Sequence, residues 1–150
     1  MLRRLEPYHA NLGKRLVKSP KVYVRDSGIL HYLLGIREVN DLLGHPGTGA
    51  SWEGFAVEQI CNQLPSGAMV SFYRTAAGAE LDVLVEHGRK KIGFEVKFSA
   101  APKVARGFWQ ACADIGVSKA FVLAPVREGW PMAENVEVIP VGGIAEALAD

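Results

Sequence analysis

Two cysteines in 150 residues, Cys61 and Cys112, leave no disulfide framework, and there is no CxxC pair or histidine spacing that would build a zinc site. Both sit in helical patterns and read as small buried hydrophobes of a reducing compartment. The four histidines (His9, His31, His45, His87) are scattered, so a His-centred triad has no support, and no serine stands in a GxSxG elbow. No apolar run approaches membrane-spanning length and no signal-peptide pattern opens the chain. The expectation is a cytoplasmic protein with no membrane partner. A net charge of +1 gives no global attraction to nucleic acid. What is present is ordinary for a globular protein: 49% hydrophobic and 22% charged residues, in a chain long enough for one domain with its own core.

The charge is unevenly placed. Seven basic residues (Arg3, Arg4, Lys14, Arg15, Lys18, Lys21, Arg25) precede the second acid, Asp26. This Arg3–Arg25 region is a candidate contact for a nucleic-acid backbone, with a solvated face or an intramolecular contact as the competing readings. Lys21 to Arg25 alternates and predicts a short strand entered through Pro20. Asp26 or Ser27 then caps a short helix from Gly28 to Leu34, and Ile36 to Leu43 suggests another.

Gly44 to Ser51 is a loop by composition and nearly spells a phosphate-binding P-loop. Ala50 stands where the lysine is required, and no strand precedes the loop, so no nucleotide site is expected. A helix over Trp52 to Leu64 follows, with Ser51 as its N-cap and an apolar stripe of Trp52, Phe55, Ala56, Ile60 and Leu64. Glu53 lies in its first turn, where a carboxylate suits the helix dipole. Further elements are a strand over Met69 to Arg74, a helix over Pro102 to Ile115 ended by Gly116, strands over Lys119 to Ala124 and Val136 to Val141, and a last turn over Ile144 to Leu148.

Between these lies the most informative stretch. Leu81 to Val85 and Ile92 to Phe98 alternate on either side of the polar turn from His87 to Lys90, which predicts a β-hairpin. Alternation sends Glu95 and Lys97 to one side of their strand and Phe94, Val96 and Phe98 to the other, with Asp82 on the neighbouring strand. Two carboxylates beside an ammonium suit a hard divalent cation such as Mg²⁺. A solvated hairpin face with a cross-strand ion pair is the plain alternative. From Ser51 the order is helix, three strands, helix, strand, strand. The second helix is a right-handed crossover between parallel strands of a mixed α/β sheet.

A core order of α-β-β-β-α-β, with Asp82 on its second strand and Glu95-Val-Lys97 on its third, resembles the PD-(D/E)xK nucleases, the restriction-endonuclease-like superfamily. Leu81 stands where that signature has proline, and Asp114 where some branches place a tyrosine. The resemblance implies Asp82, Glu95 and Glu53 as metal ligands, Lys97 as the residue orienting the attacking water, and Gln110 as an accessory glutamine beside them. A wider set of blocks covers nearly the whole chain: Asn11 to Leu30, Trp52 to Glu58, Glu80-Leu-Asp82 and Glu95-Val-Lys97. These resemble the C-terminal domain of unknown function found in many prokaryotic AAA+-type ATPases. That resemblance implies an ATPase module and winged-helix segment before Met1, as a partner of this part, and no ATP hydrolysis from these residues. It divides the chain into a basic extension with short helices, 1–50, packed on a nuclease-like core, 51–150. Two functions follow as expectations: a Mg-dependent phosphodiesterase acting on nucleic acid, or a non-catalytic nucleic-acid- or protein-binding module on the same fold.

Overall fold

The computed structural model describes residues 1–9, 13 and 15–149. Among them, β1 (Leu2–Leu5) and β2 (Lys21–Val24) form a separate antiparallel pair, followed by α1 (Ser27–Leu33), α2 (Val39–Gly44) and α3 (Thr48–Asn62). Then come β3 (Met69–Arg74), β4 (Glu80–His87), β5 (Lys90–Val96), α4 (Arg106–Ile115), β6 (Lys119–Leu123), β7 (Trp130–Ala133), β8 (Val136–Ile139) and α5 (Ile144–Ala149). Strands β3 to β8 make one mixed sheet in the order β3-β4-β5-β6-β8-β7. β5, β6 and β8 run parallel, and the β5–β6 connection carries α4, the expected crossover.

The period-2 pattern of the strands explains the layers. Phe94 and Val96 of β5 and Phe121 and Leu123 of β6 face Ala56, Val57 and Ile60 of α3 and Ile144 of α5. The intervening positions, such as Ala120 and Val122, face Phe108, Ala111 and Ile115 of α4. Each fully buried Phe or Leu contributes about 2 kcal/mol, so the two apolar layers hold the sheet between helices.

β4 breaks its own alternation. Ser71 pairs with Leu84 but Tyr73 pairs with Leu81, so β4 carries one extra residue opposite Phe72. This β-bulge at Asp82–Val83 puts Leu81 and Leu84 on the same, α4-facing side, while Val83 and Val85 face α3. On its other edge β4 pairs with β5 only as far as Val83 and Phe94. The strands part at Asp82.

Several boundaries differ from those the sequence predicts. Gly44–Ser51 is not a loop throughout: α3 begins at Thr48, whose hydroxyl donates to the carbonyls of Leu42 and His45. Ser51 is therefore not an N-cap. It is buried within the helix, with its hydroxyl 2.6 Å from His31 Nε2. α4 starts at Arg106, because Ala105 is extended (φ −80°, ψ 165°), and Val104 packs on the α4-side core from outside the helix. Strand β5 ends at Val96, and Phe98 is exposed against Trp52 instead of joining the core. β1 and β7 are additional strands. β7 tolerates Pro131 because it is the edge of the sheet.

The start of α4 lies directly against the β3–β4 turn: a Cβ on Gly107 would collide with the Gly78 carbonyl oxygen. A Gly107→Ala chain is expected to lose about 1–3 kcal/mol to overpacking, which a shift of the urea midpoint at unchanged slope will measure.

Candidate functional site

Asp82 is 7% exposed, at the point where β4 and β5 separate. Its Oδ2 accepts from the Val96 backbone N–H at 3.0 Å, beyond the last backbone pair of β4 and β5. Its Oδ1 accepts from Lys21 Nζ at 2.9 Å. That ammonium also donates to Glu53 Oε1 at 2.9 Å, lies 3.8 Å from Glu80, and sits 5.5 Å from the centre of the Phe72 ring. Glu53 Oε1 accepts in addition from the Tyr23 hydroxyl at 2.6 Å. Burial, then the bond to Glu53, holds the Tyr23 hydroxyl protonated far above its ordinary range. Glu53 and Asp82 thus meet through Lys21. The attraction outweighs the burial that would lower the Lys21 pKa, which is raised by the charges of Asp82 and Glu53.

The second half of the site belongs to β5. Glu95 is 6% exposed and takes the α4-facing side of its strand. Its Oε1 accepts from Lys97 Nζ at 2.7 Å, while its Oε2 is buried with no hydrogen-bond partner among the described residues. Burial, and then the charge of Asp82, push Glu95 up to about 7, against the pull of Lys97. Burial would lower the Lys97 ammonium, but its bond to Glu95 and the charges of Glu95 and Asp82 raise it. The site therefore holds one carboxyl group poised near neutrality beside a firmly protonated amine.

Gln110 is exposed and donates to Asp114 Oδ1 at 2.8 Å. Asp114 also accepts from the Tyr73 hydroxyl at 3.0 Å. Gln110 lines a cleft of about 790 Å³ together with Arg15, Arg106, Gly107 and the β3–β4 turn from Thr75 to Ala79. Among the described residues, Arg3, Arg4, Lys21 and Arg25 of the early basic stretch form ion pairs within the chain. Arg3 and Arg25 both clamp Glu58, which is held below its ordinary range by them despite burial. Arg4 pairs with Glu6, and Lys21 is in the acidic site. Lys14 lies outside the described residues.

Two features of the site escaped the sequence reading. Lys21 was part of a basic stretch, yet the alternation Lys21-Val-Tyr23-Val-Arg25 already places three proton donors on one face of β2. Those donors meet Glu53 and Glu58 of α3. The bulge at Asp82 leaves no composition signal, since it inserts an ordinary Asp-Val pair.

The chemistry of this donor set suits a hard cation: Asp82 and Glu95 supply carboxylate oxygens, and Glu95 Oε2 is buried and lacks a partner. No group of three His, Cys, Asp or Glu side chains converges among the described residues, and the Lys21 ammonium stands between Glu53 and Asp82.

The raised Glu95 has a consequence for stability. Between its ordinary value of 4.5 and about 7 the folded chain holds a proton that the unfolded chain releases, so stability falls as pH rises through that window. In chelator-treated buffer, the Tm of Glu95→Gln minus that of the unaltered chain is expected to become more positive by a few degrees between pH 5 and pH 8, as thermal unfolding at both values will show.

Comparison with known proteins places this geometry in a family. Residues 48–144 match the model described as Domain of unknown function (DUF4143), and residues 1–40 match a second one, Domain of unknown function (DUF8612). Two curated relatives, uncharacterized protein Mb2031c of Mycobacterium bovis and uncharacterized protein Rv2008c of Mycobacterium tuberculosis, are each 37% identical over 155 residues. The match takes in 99% of this chain and 35% of each relative, so the chain spans about a third of their length. No solved structure matches. No helix among the described residues is long and apolar enough to cross a membrane. With the acidic cluster, the mixed sheet and α3 all inside the matched residues, the chain belongs to the DUF4143 family, a domain of unknown function.

Proposed function

We propose that this chain is a restriction-endonuclease-like domain, the C-terminal part of an AAA+-type ATPase, with a Mg²⁺-dependent phosphodiesterase site at Asp82, Glu95 and Lys97. The observation that carries the reading is Glu95: a buried carboxyl group beside a second carboxylate, with one oxygen on Lys97 and the other without a partner. Such a group is costly to bury unless a ligand uses it. The element order supports the fold: α3, three antiparallel strands, α4, then β6 parallel to β5.

Bound there, Mg²⁺ would supply Lewis-acid stabilisation of the charge that develops on phosphate oxygens. The chain's own residues do the rest. The Val96 N–H fixes the Asp82 carboxylate, so one of its oxygens keeps a defined direction. Glu95 holds the Lys97 ammonium at the end of β5, where it orients a water and offsets negative charge on the substrate. Arg15 and Arg106 flank the cleft by the β3–β4 turn, at the end of the sheet where β4 begins, and would hold a nucleic-acid backbone without reading its sequence.

A second reading, a non-catalytic nucleic-acid- or protein-binding module, rests on Lys21, which already neutralises Glu53 and Asp82 within the chain. Calorimetry with Mn²⁺ separates the two. On the nuclease reading the chain binds Mn²⁺ at millimolar or tighter, Asp82→Asn loses that binding, and Lys97→Met retains it while plasmid cleavage falls by about a hundredfold or more. Absence of binding by the unaltered chain and by its Lys21→Met variant overturns it in favour of the binding module.

A further inference from the structure

Lys21 raises a question that the nuclease reading leaves open: a buried ammonium fills the space between two of the expected metal ligands. Its side chain is 14% exposed, and its bonds to Glu53 Oε1 and Asp82 Oδ1 are equal at 2.9 Å. Asp82 Oδ2 accepts from the Val96 N–H and Oδ1 from Lys21, so an ion approaching this carboxylate meets the Lys21 ammonium at Oδ1. An ammonium and a divalent cation on that one oxygen repel each other strongly.

We propose that Lys21 is the resident counter-cation of the acidic site, and that a divalent metal gains Asp82 only as the Lys21 ammonium leaves it. The inference rests on the metal reading above and adds its regulation. The neighbourhood is built for such an exchange. Glu53 keeps the Tyr23 hydroxyl as a partner when the ammonium goes. Glu80, 3.8 Å away and more exposed than Asp82, already pairs with Arg74 and can share its carboxylate with the ammonium at the end of a flexible four-carbon stem. The β1–β2 pair itself stays anchored, because Arg3 and Arg25 grip Glu58 of α3. Only the side chain has to swing. Metal occupancy then depends on how firmly Lys21 is held, and a partner or substrate that draws the ammonium away, a phosphate above all, raises the affinity for metal.

The test compares Mn²⁺ binding by calorimetry in the unaltered chain, in Lys21→Met, and in Arg74→Met. The last removes a unit charge that interacts with Asp82 and Glu53, and with it the partner of Glu80, without vacating the Asp82 oxygen. The expected result is at least tenfold tighter binding by Lys21→Met and less than threefold change in Arg74→Met. Equal gains in the two variants reduce the effect to general charge and overturn the proposal. Unchanged binding by Lys21→Met overturns it while the metal site stands. No binding by any of the three chains overturns the metal reading and the proposal together. Because Lys21→Met leaves Glu53 and Asp82 unneutralised and can fail to fold, a second measurement uses the unaltered chain: the NMR signal of the Lys21 ammonium during Mg²⁺ titration. Its loss of hydrogen-bond protection at the concentration where Mg²⁺ binds is expected, and a signal that stays in place while Mg²⁺ binds overturns the proposal.

Discussion

One carboxylate carries the junction on which the rest of the site depends. One extra residue in β4 makes the bulge at Asp82, β4 pairs with β5 only up to Val83, and the Val96 N–H beyond that point donates to Asp82. The same side chain seats the buried Lys21 ammonium. Removing either member of a buried ion pair leaves the other charge uncompensated, at a cost of about 3–5 kcal/mol. Shape and charge are therefore linked at Asp82. The bulge that re-aims it toward the end of the sheet also obliges it to complete the backbone hydrogen bonding there.

Four acidic side chains of this domain, Glu53, Glu58, Asp82 and Glu95, lie wholly or largely within the packed layers. Three are matched from the N-terminal strand pair: Glu58 by Arg3 and Arg25, Glu53 and Asp82 by Lys21. Glu95 pairs with Lys97, and its raised protonation range reflects burial and the charge of Asp82 acting against that partner. Arg3, Lys21 and Arg25 of the early basic stretch thus act as the electrostatic counterpart of α3 and β4.

How far the sequence reveals this follows from the range of the forces involved. Local patterns did well: the β4–β5 hairpin, the alternation from Ile92 to Val96, the Asp26 cap, and Gly116 in the left-handed region at the end of α4 all appear in the structure. Asp82 and the Glu95–Lys97 pair fall at the same end of the sheet because strand period and hairpin register are short-range properties. The failures are tertiary. Leu2–Leu5 becomes a strand through pairing with β2, and Ser51 is turned inward by a histidine twenty residues away. Trp130–Ala133 takes an edge position that its own pattern does not announce. Lys21 meets Asp82 across 61 positions, a separation that no window of periodicity can span.

The same N-terminal segments that bring cations to α3 also run along the outer edge of β3. Tyr8 donates to the Phe72 carbonyl, Phe72 donates back to Glu6, and Val17 donates to Arg74. At the other margin β7 carries Pro131, which has no N–H to offer. Both rims of the sheet are thereby blunted against addition of a foreign strand, the usual route from an open sheet to aggregation. The helical and loop surfaces of this domain carry exposed apolar side chains of their own. Among these are the exposed Tyr32, Leu33 and Val39 of α1 and α2.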